Sequence, residues 1–153
     1  MKGTIKMTIT EMKKDLFTVS SDYMLAHCIS ADFVLGAGIA VAFNKFFNMK
    51  WKLNSFYPNY MEAYNNQNIG GDCILIDRVF NLITKERCYH KPTLDTMKTA
   101  LMRMKEICLE KGFKKIAMPK IGCGLDKLQW EDVKQAIIDT FSDTDIEILV
   151  CSI

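Results

Sequence analysis

Histidine and proline are scarce in this chain, with two and three copies in 153 residues, and no Cys-x-x-Cys pair occurs. Each shortage removes a class of function. Cys28, Cys73, Cys88, Cys108, Cys123 and Cys151 stand singly, mostly in apolar segments, with only His27 and His90 to join them. A structural metal is therefore not expected. Free thiols packed as small hydrophobes in a reducing compartment are the simpler account. No apolar run approaches the roughly 20 residues of a membrane span. The N-terminal MKGTIKMTITEMKK also lacks the apolar stretch of a secretory signal. A cytoplasmic protein without membrane contact is expected. Strong charge is missing too: the formal net charge is +2, and basic pairs such as Lys13–Lys14 and Lys114–Lys115 are scattered. A general nucleic-acid binder is usually more basic.

What is present fits one domain over residues 1–153, with 49% hydrophobic residues to build a core. Glycine is concentrated where it can do chemistry. Gly36-Ala37-Gly38-Ile39 follows one apolar run, and Lys120-Ile121-Gly122-Cys123-Gly124-Leu125-Asp126 follows another. Glycines let backbone approach a ligand closely, and successive N–H groups can point at phosphate oxygens without a cationic side chain. Two such loops suggest a diphosphate site.

Alternation over Thr4–Met12 predicts a first strand, and the continuous apolar run Tyr23–Ile29 a strand buried on both faces. Ile39, Phe43, Phe46 and Phe47 predict a helix starting at the first glycine loop, whose dipole adds to the loop amides. Trp51–Asn68 shows no clear period and reads as irregular or weakly helical, closed by Gly70-Gly71. Cys73–Asp77 and Val79–Lys85 predict two antiparallel strands around Asp77-Arg78. Thr93 is placed to cap a helix carrying Leu94, Met97, Leu101, Met104 and Cys108, ended by Gly112. A strand at Lys115–Met118, a helix through Trp130, Val133, Ile137 and Phe141, and a strand at Ile146–Cys151 complete the chain. This alternation predicts an α/β fold with a largely parallel sheet covered by helices on both faces. Such sheets bind ligands beyond the carboxyl ends of their strands, where both glycine loops fall.

Four blocks in this order, AHCIS, GAGIA, LITKERCYHKPT and MPKIGCGLDKLQW, closely resemble the macrodomains, and within them the terminal ADP-ribose protein glycohydrolase branch. The resemblance runs from about Thr8 to the C-terminus and is poor over Asn48–Gly71. It implies a three-layer α/β/α fold with a mixed, largely parallel sheet. Residue by residue, it makes Lys85 the catalytic lysine and Asp126 its acid–base partner. It assigns Ser30, Gly36, Ala37, Gly38 and Ile39 on one side, and Lys120, Ile121, Gly122, Cys123, Gly124 and Leu125 on the other, to the substrate's diphosphate and distal ribose. Asp15, Leu16 and Ile153 would meet adenine, although Lys14 stands where the family usually has glycine. AHCIS replaces the asparagine-containing loop of other macrodomain hydrolases, which favours a lysine-dependent mechanism. No cofactor is implied. The implied partners are ADP-ribose and ADP-ribosylated proteins, with ADP-ribosylated nucleic acid as a variant, and the expected state is a monomer.

The residues also carry plainer readings. On residue type alone Lys85 is a solvated lysine at a strand end, sharing a face with Asn81 and Ile83. As a nucleophile its amine must be neutral, which desolvation or a nearby cation would favour; Arg87 and Lys91 are the neighbouring cations in sequence. Asp126 opens Asp-Lys-Leu-Gln, a spacing that also suits a helix cap. Asp15 fits a turn, and His27 a satisfied core histidine. Cys123 contributes chiefly its backbone N–H. Phe17, Phe46, Phe47 and Trp130 could stack on adenine, though most belong to the core.

The expected activity is removal of ester-linked ADP-ribose from Asp or Glu side chains. The alternatives are a non-catalytic ADP-ribose reader, or a hydrolase acting on DNA-linked ADP-ribose, O-acetyl-ADP-ribose or ADP-ribose 1''-phosphate.

Overall fold

The computed structural model describes residues 6–66 and 70–153. Its order is β1 (Thr8–Lys13), β2 (Met24–Ser30), α1 (Ile39–Phe47), α2 (Met49–Phe56), α3 (Tyr60–Asn66), β3 (Asp72–Ile76), β4 (Val79–Lys85), α4 (Leu94–Lys111), β5 (Lys115–Met118), α5 (Trp130–Phe141) and β6 (Glu147–Ser152). The strands form one six-stranded sheet in the order β1-β6-β5-β2-β4-β3. Every neighbouring pair is parallel except β3 with β4. The expected mixed, largely parallel sheet is present.

Period-two alternation splits the buried residues between two layers. Phe80 and Leu82 of β4 pack with Met97, Leu101 and Met104 of α4 and with Val133, Ile137 and Phe141 of α5. Val79 and Ile83, on the other face, pack with Phe43 of α1, Met49 and Leu53 of α2, and Tyr64 of α3. Among the described residues, no helix is long and apolar enough to cross a membrane.

Two expectations are revised. Trp51–Asn68, which reads as irregular or weakly helical, is helical over most of its length: α2 and α3 cover it, while residues 67–68 lie outside the described residues. Asn48, at φ 52°, ends α1 and begins α2, and the Asn44 side chain caps α2 by accepting the Lys50 N–H at 2.9 Å. The first strand begins at Thr8; Thr4 and Ile5 lie outside the described residues. The β3–β4 hairpin forms without glycine because Asp77 itself takes φ 54°.

Candidate active site

The strands β2, β4 and β5 end together, and the segments leaving them enclose a cleft of about 310 Å³. Along one side run Ser30, at the end of β2, and the loop Gly36–Ile39, whose Gly38 (φ 62°) begins α1. Along the other run Lys120, Ile121, Gly122, Gly124, Leu125 and Asp126, which follow β5. Lys85 ends β4 on the floor; its carbonyl accepts the Ala31 N–H at 2.9 Å, which fixes it beside Ser30. The Leu125 side chain spans to the opposite loop, its Cδ1 lying 3.6 Å from where a Cβ on Gly38 would stand.

Lys85 and Asp126 are 41 residues apart, and here they meet. Lys85 Nζ donates to Asp126 Oδ1 at 2.6 Å, and the two side chains are only 13% and 16% exposed. A lysine and a carboxylate mostly removed from water, in contact and facing an open cleft, form a unit that can exchange a proton. Asp126 does not cap a helix. Lys127 turns the chain at φ 63°, so α5 starts four residues later, with Gln129 as its N-cap and no capping side chain.

The second loop has a tightly specified backbone. Gly122 takes φ 72°, and a Cβ there would stand 2.7 Å from Met97 Cε and 3.1 Å from Leu128 Cδ1. The Leu128 N–H closes the loop on the Gly122 carbonyl at 2.8 Å. Cys123 departs from expectation, because its N–H is engaged with the Lys120 carbonyl at 3.2 Å and so is not offered to a ligand. Its thiol donates to the Ile121 carbonyl, and it does not line the cleft.

The residues that the resemblance assigns to adenine are not gathered in the cleft. Asp15, Leu16 and Ile153 lie outside the cleft lining. Asp15 accepts the Phe17 N–H at 3.0 Å and caps a one-turn 3-10 helix, the turn role its residue type suggests. Leu16 is 4% exposed and packed in the core, so its side chain offers no surface to a ring. Ile153 is 97% exposed. Lys14 N–H donates to the Ser152 carbonyl at 2.7 Å, bringing the two segments side by side. Phe17 lies against Phe43 and Phe46, and Phe46 is exposed.

Several cleft residues were not picked out as such from the sequence, among them Cys28, Cys88 and Pro119, and Lys91, considered only as a cation near Lys85, also lines the cleft. Lys91 and Cys88 sit inside the block LITKERCYHKPT, which was the available signal. Arg87 instead turns to Glu86. Burial pushes the Cys28 thiol up, and the neighbouring Asp126 charge adds to this, so Cys28 stays protonated on the cleft floor. Asp32 is held below the usual carboxylate range: burial opposes ionisation, but bonds from the Ser30 hydroxyl and the Cys88 and Val34 amides outweigh it. His27 is a core residue, fully buried, bonded through Nε2 to Asn81 at 2.7 Å and stacked on Phe43. Among the described residues, no three His, Cys, Asp or Glu side chains cluster as metal ligands would.

A Macro domain family model matches residues 26–137. The human protein named ADP-ribose glycohydrolase OARD1 is 42% identical over 146 residues, covering 93% of this chain and 90% of that protein; the cattle protein of the same name matches to the same extent. Among solved structures, the macrodomain of Thermus aquaticus DarG has a TM-score of 0.75 at 22% identity, covering 96% of this chain and 99% of its own. Thermosipho africanus DarTG in complex with ADP-ribose has a TM-score of 0.67 at 18% identity, covering 94% of this chain and 41% of its own. By the family model, the relatives and the sheet described above, this chain belongs to the Macro domain family.

Proposed function

We propose that this protein is an ADP-ribosyl glycohydrolase that releases ADP-ribose from ester linkage to Asp or Glu side chains, with Lys85 as nucleophile and Asp126 as acid–base partner. The observation that carries the reading is the 2.6 Å contact between Lys85 Nζ and Asp126 Oδ1 on the floor of the glycine-lined cleft. The name of the 42% identical relatives, ADP-ribose glycohydrolase, supports the hydrolase class.

In this mechanism the diphosphate lies between the loops 36–39 and 120–125, held by backbone N–H groups and the N-terminus of α1. Binding along the rest of the ligand sets C1'' of the distal ribose against Lys85. The ammonium passes a proton to Asp126, and the freed amine attacks C1''. A bond forms between Nζ and C1'', the bond from C1'' to the ester oxygen breaks, and the acceptor departs with the electron pair, taking back from Asp126 the proton that Lys85 had given it, so that Asp126 is again a carboxylate. Asp126 then takes a proton from water as it attacks the lysyl adduct and returns one to the departing nitrogen. The products are free ADP-ribose and regenerated Lys85.

The test incubates the protein with a glutamate-linked ADP-ribosylated target and follows free ADP-ribose and the mass of the Lys85 peptide. Lys85→Ala should bind ADP-ribose normally and lose turnover by about a thousandfold or more. Asp126→Asn should slow release by about 10²–10⁴-fold. An unmutated protein that binds ADP-ribose and releases none would make it a reader. Undiminished release by Lys85→Ala would remove the lysine from the mechanism.

A further inference from the structure

Residues 86–92, between β4 and α4, are tied on one side to the segment that leads into the first glycine loop and on the other to the second glycine loop. At one end Asp32, in the segment after β2, accepts the Cys88 N–H at 2.8 Å and the Ser30 hydroxyl. At the other end the Lys91 ammonium donates to the Leu125 carbonyl at 2.8 Å. That carbonyl belongs to the residue immediately before Asp126. Lys91 is exposed, and among the described residues its hydrogen-bond partner is this neutral oxygen rather than a carboxylate.

The loop is closed at its base by the Leu128 N–H on the Gly122 carbonyl at 2.8 Å, and the Asp126 carboxylate is bonded to Lys85, but residues 124–127 between those points are loosely packed. Gly124 has open space where a Cβ would stand, Leu125 is 62% exposed, and Lys127 takes a left-handed conformation. Within the loop the Lys127 N–H donates to the Gly124 carbonyl at 3.2 Å. Among the described residues, the bond from Lys91 is the side-chain bond from outside the loop to the backbone of residues 124–127.

We infer that Lys91 is a positioning residue for the reaction: by holding the Leu125 carbonyl it keeps the Asp126 carboxylate on Lys85 Nζ. The inference rests on the reading of Lys85 and Asp126 as the reacting pair. It assigns Lys91 no contact with the reacting atoms.

The full chain is tested as Lys91→Met, which keeps the stem and removes the donor, and as Lys91→Arg, which keeps a cation that can reach the carbonyl. On the glutamate-linked substrate Lys91→Met should lower kcat by about tenfold or more, with KM and affinity for free ADP-ribose unchanged, because a misplaced catalytic group costs rate rather than binding. Lys91→Arg should restore most of the rate. A second readout is the acylation of Lys85 by a small amine-reactive ester, mapped by mass spectrometry. Lys91→Met should speed it several-fold as the carboxylate leaves the amine, with labelling of the distant Lys50 unchanged. Unaltered kcat and unaltered Lys85 labelling overturn the inference. So does a parallel loss of ADP-ribose affinity, which would make Lys91 a ligand contact. If the unmutated protein releases no ADP-ribose, the reading of the reaction fails, and the labelling comparison still decides whether Lys91 holds Asp126 in place.

Discussion

His27 stands in the middle of β2, fully buried, and burial pushes its imidazole down to about 4 from an ordinary 6.5. As the pH falls, the unfolded chain therefore takes up this proton before the folded one does. The stability His27 supports is fully present above about 6.5 and drains away as the pH falls towards about 4. The loss is on the order of 3 kcal/mol. Urea midpoints measured between those pH values should fall less steeply for His27→Gln than for the unmutated protein; equal slopes would refute the assignment. Gly122→Ala combines a left-handed backbone with a Cβ 2.7 Å from Met97 Cε. It should cost about 1–3 kcal/mol in thermal stability and lower kcat by displacing Asp126. At this scale the sequence made the glycines readable, because few other residues accept such backbone. It left the pairing of Lys85 with Asp126 and of Lys91 with Leu125 invisible, since spacing along a chain says nothing of contacts across a cleft. The first came from the resemblance, and the second came from the coordinates.

The elements that were legible are those whose patterns are long or uniform. In α4, Met97, Leu101, Met104 and Cys108 all face the core, and Thr93 and Thr96 form a reciprocal cap at 3.1 Å in each direction. Thr96 also donates to the Thr84 carbonyl at 2.7 Å, which ties the start of the helix to β4 one residue from Lys85. Thr93→Ala should cost about 1 kcal/mol, read as a fall of roughly 2–4 °C in the melting temperature. In α2 the pattern failed for a physical reason. Only Met49 and Leu53 are buried, while Trp51 and Phe56 point outward, so aromatic side chains on the wet face erase the apolar period. Short helices fixed by packing carry too few residues to announce themselves. The spacing from Asp126 to Gln129 also suited a helix cap, but a positive φ at Lys127 takes the chain out of the helix there.

For the molecule as a whole, all six cysteines are free; Cys73, Cys108 and Cys151 are packed in the interior as small hydrophobes would be, whereas Cys88 is not. Burial pushes Cys73 and Cys151 up and carries Cys108 to about 12, while Cys88 is exposed beside the cleft. A disulfide exchange reagent should therefore label one thiol quickly in the folded protein and the remainder only on unfolding. Cys88→Ser should abolish the fast phase, and a fast phase that survives would place the reactive thiol elsewhere.

The sheet order has a consequence for how the ligand cleft comes to exist. β1 borders β6 alone, so the strand that leads into Asp15 finds its neighbour only in the last strand. Such a closure joins residues very distant in sequence and belongs to the slow class of folding events. A nascent chain halted just short of β6 already contains β2, β4, β5 and both glycine loops. The Lys85 and Asp126 end of the cleft can therefore assemble before β1 and β6 pair, with the segments around Asp15 and Ser152 joining it afterwards.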